Sequence, residues 1–209
     1  MSAPCDYRGT ITREQWLLNE TRVVGRLMLD DGLTNLKEIG DRVIEGNLFQ
    51  YPTEREQVSI ARACARRLKA AAADDADILR TGILPLVAHG TVEQLAQTNL
   101  YAMARDNRLV WDFLVCVIGP KFTSFDFALT KAEIKTFLEG LRSQNGRIAT
   151  WSDATFVKIG QVYVNALEGT GMYDRKTRQL QPPFLDPALE NVIRTNNDLQ
   201  ILAAFGVRD

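Results

Sequence analysis

Residues 53–73 read TEREQVSIARACARRLKAAAA, and this stretch decides the class of fold. Thr53 with Glu56 three positions on is the pattern in which two side chains satisfy orphan amides at a helix start. Val58, Ala61, Ala65 and Leu68 recur at helical spacing as one apolar stripe. After Pro52, Thr53 therefore opens a long helix running to about Ala73.

Outward from this helix the same periodicity continues. A helix from about Thr12 to Asp30 carries Trp16, Val23, Val24 and Leu27 near one face and stops at Asp31 and Gly32. A second, Thr34 to about Glu45, packs Leu36, Ile39 and Val43 and ends at Gly46 and Asn47, residues that tolerate a left-handed cap. Three short-linked helices predict a trihelical unit over 1–73. Asp74, Asp75 and Asp77 then mark a boundary or an exposed turn. Helices near Ala76–Ala88, Val92–Arg105 and Asn107–Ile118 form a central core over 74–129, closed by Gly119 and Pro120.

The stretch Phe122–Leu129 reads as an irregular aromatic anchor rather than a strand. Thr130, with Glu133, opens a helix to Leu141; Gly146 and Arg147 make a turn; Ser152 caps a helix to about Glu168 that packs Phe156, Ile159, Tyr163 and Leu167. Gly169 and Gly171 stop it. From Met172 to Phe184 two extended pieces flank the basic turn Asp174–Arg178, and Asp186-Pro187 starts a last helix. The expected fold is all-α: a compact multi-helix globule with two helix-turn-helix-like units, the second over 130–209 with a short wing hairpin, packed as one domain.

Composition supports a globular chain: 209 residues, 45% hydrophobic and 24% charged. The formal net charge is -1, so no overall positive field attracts phosphate, and nucleic-acid binding must come from local clustering. Cys5, Cys64 and Cys116 lie too far apart for a metal site or small disulfide scaffold and read as reduced thiols of a cytoplasmic protein. Pro4, Asp6 and Arg8 interrupt any apolar signal core. The apolar stretches Ile83–Ala88 and Leu109–Ile118 fall short of the ~20 residues of a membrane span.

Chemistry finds no foothold. The single histidine, His89, follows an apolar segment and reads as a capping or surface residue. Nucleophile elbow, phosphate loop, dinucleotide fingerprint and zinc helix are absent, so no catalytic site, cofactor, metal or small-molecule substrate is expected. Asp74, Asp75 and Asp77 lack the glycine and distal glutamate of a calcium loop and read as a solvated turn. Trp16, Trp111 and Trp151 sit on apolar helical faces, as core residues do.

Two basic clusters remain. Arg55, Arg62, Arg66 and Lys69 recur at spacings of seven, four and three on one face of the long helix, with Arg67 flanking. A third helix presents cations in this way to phosphates and base edges. The alternative is a solvated face whose long side chains cover apolar surface. Arg175, Lys176 and Arg178 occupy the turn after the helix bearing Lys158, and helix, turn, helix and basic hairpin is the order of a winged helix. A merely soluble hairpin tip is the alternative here.

The order of several segments resembles a known family. Leu17-Leu18-Asn19-Glu20-Thr21, Glu45-Gly46-Asn47-Leu48-Phe49-Gln50 and Arg62 through Arg66-Arg67-Leu68 resemble the opening of BrxA proteins, the small component of BREX phage-exclusion systems. Asn99-Leu100-Tyr101-Ala102, Asn107-Arg108-Leu109 with Asp112-Phe113, Trp151-Ser152-Asp153-Ala154-Thr155 with Lys158, Gln161 and Tyr163, and Pro182-Pro183 with Leu185-Asp186 follow in similar order. Thr21 stands where serine is expected and Gly46 where glutamate is usual. The resemblance implies an all-helical protein with helix-turn-helix elements that binds double-stranded DNA beside a methyltransferase and ATPases. Two rivals stay open: an adaptor that docks such BREX proteins without touching DNA, and RNA binding on a helical bundle.

Overall fold

The computed structural model describes residues 6–207, so Pro4 and Cys5 lie outside the described residues. In chain order its helices are α1 (Ile11–Glu14), α2 (Leu18–Leu29), α3 (Leu36–Glu45), α4 (Glu54–Ala71), α5 (Ala76–Ile78), α6 (Leu84–Ala88) and α7 (Val92–Asp106). There follow α8 (Arg108–Phe113), α9 (Gly119–Thr123), α10 (Lys131–Gln144), α11 (Gly146–Ala149) and α12 (Asp153–Gly169). Strands β1 (Tyr173–Asp174) and β2 (Gln179–Leu180) precede α13 (Pro187–Thr195) and α14 (Leu199–Leu202). The protein is all-α, with one antiparallel strand pair that joins Tyr173 to Leu180 and Asp174 to Gln179.

The chain divides into two compact units, neither of them continuous. Unit 1 takes the residues up to Trp16, Asn107–Leu185 and those from Asn197 on; unit 2 takes Leu17–Asp106 and Asp186–Asn196.

In unit 2 the side chains of Asn35 and Thr53 cap α3 and α4, accepting from the amides of Lys37 and Glu56. Thr91 and Gln94 exchange bonds across the first turn of α7. The core gathers Val24, Ile39, Val43, Ala61, Ala65, Leu68, Ile83 and Leu100. α2 lies so near α6 that a Cβ on Gly25 would meet Val87 Cγ1 at 2.5 Å. Buried Asn196, at the end of α13, donates to the Ala71 carbonyl at 2.6 Å and the Tyr101 hydroxyl at 2.7 Å.

In unit 1, α10 is closed by a complete Thr130–Glu133 capping box and α12 by Ser152. Phe156, Ile159, Tyr163 and Leu167 of α12 are buried, and Phe113 stacks on Tyr163 with ring centroids 4.1 Å apart. A Cβ on Gly160 would lie 3.3 Å from Ile134 Cγ2, so the glycine sets how closely α12 meets α10. Residues 125–129 run irregularly beside β2, with Leu129 N–H donating to Arg178 and Leu180 N–H to Phe127.

Several boundaries differ from the pattern-based expectation. The helix expected over Thr12–Asp30 is interrupted: Gln15 and Leu17 adopt φ of 42° and 49°, Leu17 becoming the N-cap of α2. The break seats the Trp16 indole where a Cβ on Gly169 would meet its Nε1 at 2.5 Å. Gly119 and Pro120 do not end a helix. A π-helical turn, Leu114–Ile118, precedes them, and Gly119 N–H bonds the Leu114 carbonyl five residues back. The wider turn shifts the hydrogen-bond register just ahead of a residue with no donor. Leu79–Ile83 does the same ahead of Pro85. Gly146 and Arg147 lie in the one-turn helix α11 rather than a plain turn, and α14 follows the helix expected to be last.

Candidate nucleic-acid interface

Four elements position the clustered cations: α4 in unit 2, and α12, β1 and β2 in unit 1. On α4, helical spacing aligns Arg55, Ser59, Arg62, Arg66 and Lys69 along one side. Arg55 and Arg62 are exposed and have no ion-pair partner among the described residues. Lys69 is half-buried.

Arg66 is differently placed. Its Nε donates to Asp106 Oδ1 at 2.9 Å and its Nη2 to Oδ2 at 3.0 Å, a two-pronged pair with a carboxylate whose side chain is 4% exposed. Arg67 is only 2% exposed and sits among the inward side chains of α4. The outward charge of α4 is therefore carried by Arg55, Arg62 and Lys69.

The hairpin is held by Asp174, whose carboxylate accepts from the amides of Lys176 at 2.7 Å and Thr177 at 3.4 Å. These bonds, that of Lys176 first, hold its carboxyl below the usual carboxylate range. Arg178 adopts φ 59° and donates its amide to the Asp174 carbonyl at 2.8 Å. The turn so fixed leaves Lys176 and Arg178 exposed. Arg175 folds back on α12, donating to Asn165 Oδ1 at 2.8 Å and Glu168 Oε2 at 2.6 Å. Lys158 is half-buried on α12.

The remaining open face of α12 carries neutral side chains. Ala154, Val157, Gln161 and Asn165 are exposed there, opposite the buried stripe of Phe156, Ile159 and Tyr163, and Val157 is 62% exposed. The only available signal was the polar side of the periodicity. The one acid at the helix start, Asp153, is paired with Arg142 at 2.8 Å.

Elsewhere the expected non-participants take structural posts. His89 ends α6 at the surface, its Nε2 2.9 Å from Asp30 Oδ1. Asp75 caps α5, and Trp111 is buried. Among the described residues, no group of three His, Cys, Asp or Glu side chains is placed to hold a metal ion, and no helix is long and apolar enough to cross a membrane.

A family model described as BrxA matches residues 5–197. A BREX protein BrxA of Bacillus cereus is 29% identical over 194 residues, covering 92% of this chain and 92% of its own. Another BREX protein BrxA, of Paramagnetospirillum magneticum, is 23% identical over 193 residues, covering 87% of this chain and 97% of its own. The crystal structure of an uncharacterized protein from Magnetospirillum magneticum shares the fold, with a TM-score of 0.74 at 22% identity over 95% of this chain and 97% of that one.

Proposed function

The chain belongs to the BrxA family, and on that premise we propose that it is a non-enzymatic component of a bacterial phage-defence system that contacts double-stranded DNA. Arg55, Arg62, Lys69, Lys158, Lys176 and Arg178 meet the phosphates. The observation that carries this reading is the order α10, α11, α12 and hairpin, with Lys176 and Arg178 exposed at the hairpin turn. In a winged helix that order lets the last helix approach the groove while the hairpin reaches the neighbouring backbone. α2, α3 and α4 supply a second element with Arg55 and Arg62 outward. Arg66 joins only on leaving Asp106, and Arg67 only on becoming uncovered.

Binding of this kind draws on counterion release, with log affinity falling by about 0.9 per phosphate contact for each unit of log salt. Fluorescence anisotropy with a labelled random-sequence duplex at two salt concentrations tests it. The expected result is binding that weakens steeply with salt. The pairs Lys176→Glu/Arg178→Glu and Arg55→Glu/Arg62→Glu should each flatten that dependence by about two contacts. Absence of binding at low salt would overturn the reading.

A second reading is an adaptor that docks a methyltransferase or ATPase of the same system. It is favoured by the pairs Arg66–Asp106 and Arg175–Glu168, which occupy two of the clustered cations, and by the net charge of -1. A salt-insensitive complex with such a partner, alongside no DNA binding, selects it.

A further inference from the structure

We propose that α12 reads base edges in the major groove, with Val157 and Gln161 as the specificity-determining pair for a site containing A·T base pairs. This rests on the DNA-contact reading above and adds to it the class of sequence recognised.

The argument starts from the chemistry of the open face. Ordinary solvated helix faces carry charges of both signs, as α4 does with Glu54, Arg55, Glu56 and Arg62. From Ala154 to Asn165 the open face of α12 presents a methyl, an isopropyl and two amides, and Lys158 is the one charged residue in that span. Leaving the Val157 isopropyl 62% exposed forgoes burial that stabilises most aliphatic side chains. An aliphatic group and a carboxamide are the two side-chain chemistries that recognise an A·T pair: the first packs on the thymine methyl, the second bonds adenine N6 and N7 together.

Spacing agrees with that assignment. Four residues of helix advance about 6 Å, close to two base-pair steps of about 3.4 Å, so Val157 and Gln161 address positions on nearby pairs. Asn165 is already engaged by Arg175, which leaves Gln161 as the available amide. The same arginine pairs with Glu168 at 2.6 Å, offsetting the acid that would repel the backbone at the far end of the helix. Lys158 on this helix, and Lys176 and Arg178 on the hairpin that packs against it, supply positive charge complementary to phosphate.

The test uses the full chain and a randomised duplex library of about twenty base pairs, selected at near-physiological salt and sequenced. Enrichment of a motif with A·T pairs at two positions about two base-pair steps apart is the expected result. Val157→Ala should relax one position and Gln161→Ala the other, each by about tenfold in discrimination. Gln161→Glu should shift its position toward cytosine, whose amino group donates to a carboxylate. All three substitutions fall on exposed positions. Binding without enrichment, or enrichment that these variants leave unchanged, overturns this inference while the DNA-contact reading stands. No binding to any duplex overturns both, and points to a protein on this face.

Discussion

Lys121 illustrates what a buried charge needs. It is 7% exposed, and its Nζ lies 2.7 Å from Asp126 Oδ2 and 2.6 Å from Glu133 Oε1. Burial works against the ammonium, but the hydrogen bonds to Asp126 and Glu133 outweigh it and push its pKa up. Chiefly through their bonds to Lys121, both carboxyls titrate below their usual range. Carboxyls with a lowered folded pKa add stability that is complete above the unfolded value and lost as pH falls through the folded one. The lysine's raised pKa adds stability complete below its unfolded value and lost as pH rises through the folded one. Lys121→Met is therefore expected to cost about 1–3 kcal/mol near neutral pH, and the deficit should shrink below about pH 4. Urea unfolding at about pH 7 and about pH 3 checks it. An equal deficit at both would mean lost packing rather than lost charge. None of this is legible in sequence, because Glu133 lies twelve positions from Lys121 and its visible role was the capping box. The same blindness hides the pairing of Arg66 with Asp106, forty positions away. Local spacing identifies which cations share a helix face, whereas burial and pairing depend on what folds against that face.

At the scale of elements, the starts of five helices could be read directly. Thr, Ser or Asp lies at the caps of α4, α7, α10, α12 and α13, and capping bonds are local chemistry. The interruptions could not be read. Trp16, Val23, Val24 and Leu27 keep helical spacing whether or not Gln15 and Leu17 turn left-handed. Pro120 looks like a helix end until the π-helical turn before it is seen, and the similar turn before Pro85 lies inside a stretch that reads as one plain helix. Glycines at helix crossings give no sequence signal either. Gly25→Ala should destabilise by about 1–3 kcal/mol through overpacking, since Val87 is stiff at the contact. Thermal unfolding checks it, and Val87→Ala in the same chain should recover part of the loss.

For the molecule as a whole, the all-helical class followed from periodicity and composition, while the interleaving of the chain between units rests on pairings distant in sequence. Asn196 bonds Ala71 across 125 positions. Asn196→Ala removes a buried donor from both Ala71 and Tyr101 and should lower stability by about 1–3 kcal/mol. The urea midpoint should fall with the slope retained; an unchanged midpoint would mean that α13 is not held by this bond. The weave also orders events in time. α2 to α7 are synthesised before residues 107–185, and α13 only after them. At about 5–20 residues per second this interval lasts roughly 4–16 seconds. Through it, the nascent chain carries a bare seat where Asn196 will settle, and neither unit can close until synthesis has passed residue 185.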